Sequence, residues 1–354
     1  IKIFICLFIY FLSTRGATHS KLLVCDETGV VVASISGPGT NHFLLGIHEC
    51  ARRIANMVKD AKNAVGLSQD VKLKALGLSL SGCEQEATNR ELENELKMVH
   101  PNVAESYVVV SDTVGSILTA SNLGGLVLIA GTGSNAFLRN PSGTQAQCGG
   151  WGHILGDEGG AWWIAQRAIK TVFDHEDNFI PSPYPIERVW QIICKYFNIE
   201  TRLDLLPYCY GEKFDKSFYA GLCKKLAEAA EDGDELCLKV FTDAGHALGK
   251  SVLALLPKVE AELVSSGSLT IVCVGSVWLS WKLLKSGFVK ILNTANIPFE
   301  ITLVKLTNSM GLGACYMAAD SIDFELKRDY SKNYEVFFSY TNNNNNQIHM
   351  NGKE

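Results

Sequence analysis

Apolar runs that read as strands end repeatedly in small residues where the next element must begin, and this recurrence constrains the fold more than any other feature. Val108-Val109-Val110 gives way to Ser111-Asp112-Thr113-Val114-Gly115-Ser116, and Leu128-Ile129-Ala130 to Gly131-Thr132-Gly133-Ser134-Asn135. Cys273-Val274 runs into Gly275-Ser276-Val277-Trp278, and Met310-Gly311-Leu312-Gly313-Ala314 follows a run at Ile301–Leu306. Near-continuous aliphatic runs suit strands covered on both faces. The carboxyl ends of such strands are where open α/β sheets bind ligands. Any one cluster is equally a tight turn or a packing glycine. Four clusters and one aspartate together predict an α/β protein with a built ligand site.

The remaining pattern is consistent with that class. Lys21–Cys25, a turn at Asp26–Gly29 and Val30–Ser34 read as a hairpin. Apolar residues at Ile47, Cys50, Ala51, Ile54, Met57, Val58 and Ala61 have the spacing of an amphipathic helix over Ile47–Ala64. A strand is expected at Ala75–Leu80, a charged helix at Glu84–Lys97 and a strand at Ser106–Val110. Gly125–Ala130 reads as a further strand, followed by a hairpin through Asn140-Pro141-Ser142-Gly143 and mainly helices from Ala161 to Pro257. Strands at Leu269–Val274 and Ile301–Leu306 alternate with helices from Val277 and from Leu312. The 354 residues exceed the roughly 250 to 300 at which one hydrophobic core stops growing, so two domains with a ligand cleft between them are expected. The Asn-rich close predicts a disordered tail over 341–354.

Composition narrows the partners. Lys and Arg number 32 against 37 Asp and Glu, a net charge of −5 with no basic block, so a nucleic-acid-binding surface is not expected. Eleven cysteines are scattered without a CxxC pair, which fits reduced thiols in a cytoplasmic protein and no metal site. The opening Ile1–Leu12 (IKIFICLFIYFL) is shorter than the ~20 residues a membrane helix needs, so no membrane span is expected. It has the length of a signal-peptide core, and its Ile, Phe and Tyr also suit a first β-strand. Opening on Ile, it also reads as an incomplete start.

Asp112 lies at the carboxyl end of an apolar strand, and two roles are open to it. One is a helix N-cap; the other is a general base accepting a hydroxyl proton. Gly131–Asn135 is likewise either a turn or a set of amides and hydroxyls for phosphate. In Cys148–Gly160 (CGGWGHILGDEGG), six glycines surround an aromatic residue and two carboxylates, a density suited to wrapping a small polar ligand. Trp151 can stack on a sugar face while Asp157 or Glu158 accepts from hydroxyls; both acids also fit the approach to the Ala161 helix. Cys148 and His153 have no partners at ligand spacing, so no metal is assigned to them.

This set resembles the sugar-kinase branch of the actin/hexokinase/Hsp70-like ATPases, and within it the eukaryotic N-acetyl-D-glucosamine kinases of BadF/BadG/BcrA/BcrD type. The resemblance is carried by Ser36–Phe43, Leu76–Gly82, Ser111-Asp112, Gly131–Asn135, Cys148–Gly160, Val274–Trp278 and Gly311–Ala314, in order along Thr14–Tyr340. It implies a two-domain actin-like ATPase (ribonuclease H-like) α/β fold with an interdomain cleft. Residues 1–122 would form the smaller domain, with the base and part of the sugar site. Residues 123–340 would form the larger, with the second phosphate loop, the sugar loop and the adenosine region. It further implies ATP-dependent phosphorylation of the 6-hydroxyl of N-acetyl-D-glucosamine, with Asp112 as base and Mg²⁺ on the nucleotide phosphates. Asn41, Asp112, Gly150, Trp151, Gly152 and Asp157 would meet the sugar. Thr18, Gly131, Thr132, Gly133, Ala220, Gly275, Ser276 and Ser280 would meet ATP. A homodimer is implied as well.

One stretch departs from the family. Where it has an acidic residue and a G-G-G-T first phosphate loop, this chain has Thr14-Arg15-Gly16-Ala17-Thr18 after Ile9–Leu12, so only Gly16 and Thr18 match. Ala17 carries a β-carbon that a left-handed loop residue would not tolerate. The departure motivates an alternative: a catalytically impaired protein that binds or senses amino sugars or muramyl peptides. The apolar start falls where the family has its first strand, which favours a replaced or misassigned strand over a secretory leader.

Overall fold

The structure, a computed structural model, describes residues 4–10, 19–80, 82–83 and 85–342. The altered first-loop stretch Thr14–Thr18 and the tail from 343 lie outside the described residues. Two compact units appear: one takes the described residues up to Gly125 with Val304–Phe337, the other Leu126–Leu303 with the described residues from Phe338 on.

In the first unit the elements run β1 (Phe4–Tyr10), β2 (His19–Cys25), β3 (Val31–Pro38), α1 (His42–Leu45), α2 (Ile47–Ala64), β4 (Leu73–Leu80), α3 (Glu86–Val99), β5 (Ala104–Ser111) and α4 (Asp112–Ala120). The sheet order is β3-β2-β1-β4-β5. β1 is therefore central, antiparallel to β2 and parallel to β4, so the strand reading of the apolar start holds over Phe4–Tyr10.

The alternation in β4 explains how both faces are covered. Leu76, Leu78 and Leu80 point to one side and pack with Ile54, Met57 and Val58 of α2 and with Leu92 and Leu96 of α3. Each fully buried Leu or Ile contributes about 2 kcal/mol by leaving water. Ala75, Gly77 and Ser79 point the other way and are small because two helices lie against them. A β-carbon at Gly77 would fall on the Ala314 carbonyl, and one at Gly115 of α4 would fall on the Ser79 hydroxyl.

The second unit opens with β6 (Gly125–Ala130), β7 (Ser134–Arg139) and β8 (Gln145–Gly149), followed by α5 (Ala161–Glu176), α6 (Glu187–Phe197), α7 (Leu206–Tyr210), α8 (Lys216–Glu231) and α9 (Glu235–Leu255). Then come β9 (Ser268–Val274), α10 (Trp281–Leu292) and β10 (Glu300–Leu306). After α11 (Gly311–Asp320), which packs in the first unit, β11 (Tyr334–Tyr340) completes a sheet of order β11-β10-β9-β6-β7-β8. β6 and β9 are parallel, with Ile129 opposite Val274, so their carboxyl ends are neighbours.

Two local expectations change. A 3-10 turn over Ser276–Ser280 precedes α10, because Trp278 is drawn back to donate its indole N–H to the Leu128 carbonyl at 3.1 Å. Met310–Ala314, one of the four clusters expected to build the ligand site, is buried throughout. A β-carbon at Gly313 would fall on the Gly115 carbonyl, and the Gly313 N–H donates to Thr119 Oγ1 at 2.9 Å, so this cluster packs α11 on α4. Among the described residues, no helix is long and apolar enough to cross a membrane, and the cysteines from Cys25 to Cys315 are free.

Candidate functional site

Two strand-end constellations carry the residues singled out from the sequence, one in each unit.

In the first unit, β1, β3, β4 and β5 all deliver their carboxyl ends to one edge of the sheet, since Tyr10 and Pro38 both pair with His19 and Leu80 pairs with Ser111. Asp112 follows β5 directly as the first residue of α4 and is half-buried. It is not the cap. Ser111 takes that position, its hydroxyl accepting the Val114 N–H at 3.5 Å and pairing with Thr113 Oγ1 at 2.6 Å. A carboxylate in the first turn is favoured by the amino end of the helix without being consumed as the cap. Asn41 caps α1, its Oδ1 accepting the Phe43 N–H at 2.9 Å. A β-carbon at Gly82, beyond β4, would lie 3.1 Å from that same oxygen. Asn41 and Asp112 thus share one sheet edge.

In the second unit, Gly131-Thr132-Gly133 turns from β6 into β7. The turn closes on itself, the Gly131 N–H donating to the Gly133 carbonyl at 2.9 Å. Helix α5 nevertheless reaches it from below: the N–H groups of Ala161 and Trp162 donate to the carbonyls of Gly131 and Thr132 at 2.8 and 3.0 Å. Those contacts occupy carbonyls, so the Thr132 and Gly133 amides and the Thr132 hydroxyl keep their donors unengaged among the described residues. Gly275 lies beside this turn, at φ +110, and a β-carbon there would fall on the Ala130 carbonyl. Ser276 is exposed and Ser280 is half-buried just beyond. The structure therefore brings Gly131, Thr132, Gly133, Gly275, Ser276 and Ser280 to one pair of strand ends.

The glycine-rich loop locks onto the same turn. Gly149, Gly150, Gly152 and Gly159 all have positive φ, as does Asp157 at 66°. The Gly150 N–H donates to the Ser134 carbonyl at 3.1 Å, and Ser134 Oγ donates to the Glu158 carbonyl at 2.8 Å. Asp157 is buried, with its carboxylate against Gly133; Oδ1 accepts the Ser134 N–H at 3.0 Å, and Oδ2 accepts from Lys216 Nζ at 2.7 Å. Trp151 stays 69% exposed, a flat surface available for stacking. His153 packs against the rings of Trp162 and Phe214, and burial, with the nearby Lys216 cation, pulls its pKa below the usual range. Ala220 is buried in α8, one turn beyond Lys216, and Thr18 lies outside the described residues.

Lys216 escaped the sequence reading, and Ser134, read within Gly131–Asn135 as a hydroxyl for phosphate, instead gives its hydroxyl to the Glu158 carbonyl. Lys216 leaves one trace: it is a cation at the first position of a helix, where the dipole disfavours positive charge. Such a misfit asks for a partner outside the helix.

A sheet in the order 3-2-1-4-5 with helices on both faces, followed by a second α/β unit with glycine-lined strand ends, defines the class: an actin/hexokinase-like ATPase fold. The chain matches the BadF/BadG/BcrA/BcrD ATPase family over residues 15–298 and belongs to that family. It is 25% identical over 309 residues to the N-acetylmuramic acid/N-acetylglucosamine kinase of Clostridium acetobutylicum, covering 86% of this chain and 96% of that one. It is 24% identical to the N-acetyl-D-glucosamine kinase of Dictyostelium discoideum over 260 residues, 69% of this chain and 78% of the relative. Among solved structures, a Chromobacterium violaceum protein assigned as an N-acetylglucosamine kinase superposes with a TM-score of 0.65 at 20% identity, covering 90% of this chain and all of that one.

Proposed function

We propose that this chain is an ATP-dependent sugar kinase that phosphorylates the 6-hydroxyl of N-acetyl-D-glucosamine. The carrying observation is Asp112, a half-buried carboxylate at the carboxyl end of β5 whose cap duty is taken by Ser111. In the reaction Asp112 accepts the proton of the sugar 6-hydroxyl, O6 bonds to the γ-phosphorus of ATP, and the bond to the leaving ADP oxygen breaks. A positioned base of this kind supplies about 10²- to 10⁴-fold. N-acetylglucosamine is the acceptor that the names of both curated relatives share, which favours it over N-acetylmuramic acid.

Asn41, Asp112, Gly150, Trp151, Gly152 and Asp157 would serve the sugar. Gly131, Thr132, Gly133, Gly275, Ser276 and Ser280, with Ala220 and Thr18, would serve ATP. The unengaged amides of Thr132 and Gly133 fit a phosphate. Mg²⁺ would come with the nucleotide phosphates, as phosphoryl transfer from ATP requires. A homodimer in the cytoplasm belongs to the same reading.

Transfer of labelled phosphate from ATP to N-acetylglucosamine by the purified chain tests the proposal, and no transfer above background overturns it. The Arg15–Thr18 departure keeps a second reading in view, an amino-sugar binder with impaired catalysis. Sugar binding without ATP binding in calorimetry would select that reading.

A further inference from the structure

Asp157 occupies a position that its own backbone does not favour. Its φ of 66° belongs to the left-handed region, while its carboxylate is buried against Gly133. A buried carboxylate needs a cation, and Lys216 Nζ supplies one at 2.7 Å from Oδ2. The other oxygen holds the Ser134 N–H at 3.0 Å. Lys216 itself opposes the dipole of α8, while Asp215 caps that helix by accepting the Ser217 and Phe218 N–H groups. Two locally unfavourable placements, in elements 59 residues apart, are thus satisfied by each other.

The consequence falls on the turn between β6 and β7. With the carboxylate seated on Gly133 and tied to the next amide, Asp157 holds the Gly133–Ser134 end of the turn. The α5 amides that donate to the Gly131 and Thr132 carbonyls hold its other end. Moving the carboxylate would release the end that carries the unengaged Gly133 amide.

We propose that Lys216 is a positioning residue for nucleotide binding, acting through Asp157 to fix the Gly131–Ser134 turn in the form that presents its amides to phosphate. This rests on the reading of that turn as a phosphate loop. It also constrains Asp157 toward sugar: a hydroxyl must share an oxygen already bonded to Lys216 or Ser134, which the lone pairs of a carboxylate permit.

The test is calorimetric affinity of the full chain for Mg·ATP, with melting curves to confirm folding, for wild type, Lys216→Met, Lys216→Arg, Asp157→Asn and the Asp157→Asn/Lys216→Met double variant. Lys216→Met weakens ATP binding about tenfold, and Lys216→Arg stays within about threefold of wild type, the scale of coupling between contacting residues. In the Asp157→Asn background, adding Lys216→Met changes affinity less than about twofold, because the route through Asp157 is already cut. A folded Lys216→Met chain that binds ATP like wild type overturns the proposal, as do effects of the two substitutions that add in full. If Lys216→Met does not fold, Lys216→Arg and the charge-free double variant decide by the same limits. A wild-type chain that binds no ATP removes the phosphate-loop reading and this inference with it; normal wild-type binding with an unaffected Lys216→Met removes this inference alone.

Discussion

The β5–α4 and β6–β7 junctions look alike as sequence, an apolar strand running into small polar residues, yet the molecule builds them differently. After β5 the chain continues straight into a helix whose start is capped locally: Ser111 caps, Asp112 sits in the first turn, and Ser116 Oγ donates back to the Asp112 carbonyl at 2.8 Å. After β6 it turns into another strand, and the support arrives from elsewhere in the chain. The α5 amides, the Asp157 carboxylate held by Lys216, and Gly275 all converge on Ala130–Ser134. The first junction places a side chain and the second shapes a backbone. Substitutions should therefore separate them, chemistry failing at one and loop geometry at the other.

The largest expected effect is Asp112→Asn. With the proposed base removed and the Ser111 cap intact, kcat for sugar phosphorylation should fall by about 10³-fold. The melting temperature should stay within about 2 °C of wild type. An undiminished rate would remove Asp112 as the base. Next comes Gly275→Ala, which puts a β-carbon onto the Ala130 carbonyl at a φ of +110 and should cost about 3 kcal/mol together with nucleotide affinity. Gly131→Ala is the contrast, since its β-carbon would meet only the Gly275 Cα, at 4.0 Å. Its cost in chemical denaturation should stay within about 1 kcal/mol. Equal costs for the two glycines would show that the turn is less tightly built than its contacts imply.

That contrast marks the limit of what the sequence could convey. Periodicity predicts α2 over Ile47–Ala64, where it is found, because a three-and-four spacing of apolar residues has one structural meaning. The buried strands and the junction at Ser111-Asp112 are legible for the same reason. Gly131 and Gly275 are indistinguishable as letters; only the approach of β9 to the end of β6 separates them. Whether Gly311–Ala314 bound a ligand or packed a helix depended on α4, nearly two hundred residues away, and so did the size of Gly77 and Ser79 on Ala314 and Gly115. Lys216 was hidden most thoroughly, since an ion pair with Asp157 leaves no periodic mark. Its only trace is a charge of the wrong sign at a helix start.

A smaller effect is expected at the local junction. Ser111→Ala removes the hydroxyl that accepts the Val114 N–H, a loss of about 1 kcal/mol that guanidinium denaturation can resolve. Activity per folded molecule should remain near that of wild type. A fall as deep as that of Asp112→Asn would mean that the cap, and not only the carboxylate, sets the chemistry of this strand end.

The smallest effect reads the charges around the second junction. Burial pulls the His153 pKa below 6.5, the Lys216 cation pulls it further and Asp157 opposes them. The folded chain thus holds the neutral imidazole, while the unfolded chain takes up a proton more readily. The linked stability is fully present above the unfolded value near 6.5 and is lost as pH falls through it toward the folded value. In an NMR titration the His153 ring should titrate below the ordinary imidazole value of 6.5. Lys216→Met should move its midpoint up and Asp157→Asn should move it down, because each removes a charge of known sign. Shifts in the same direction for both variants would mean that loop rearrangement outweighs the lost charges, and the turn would then be a more pliable structure than the locally capped start of α4.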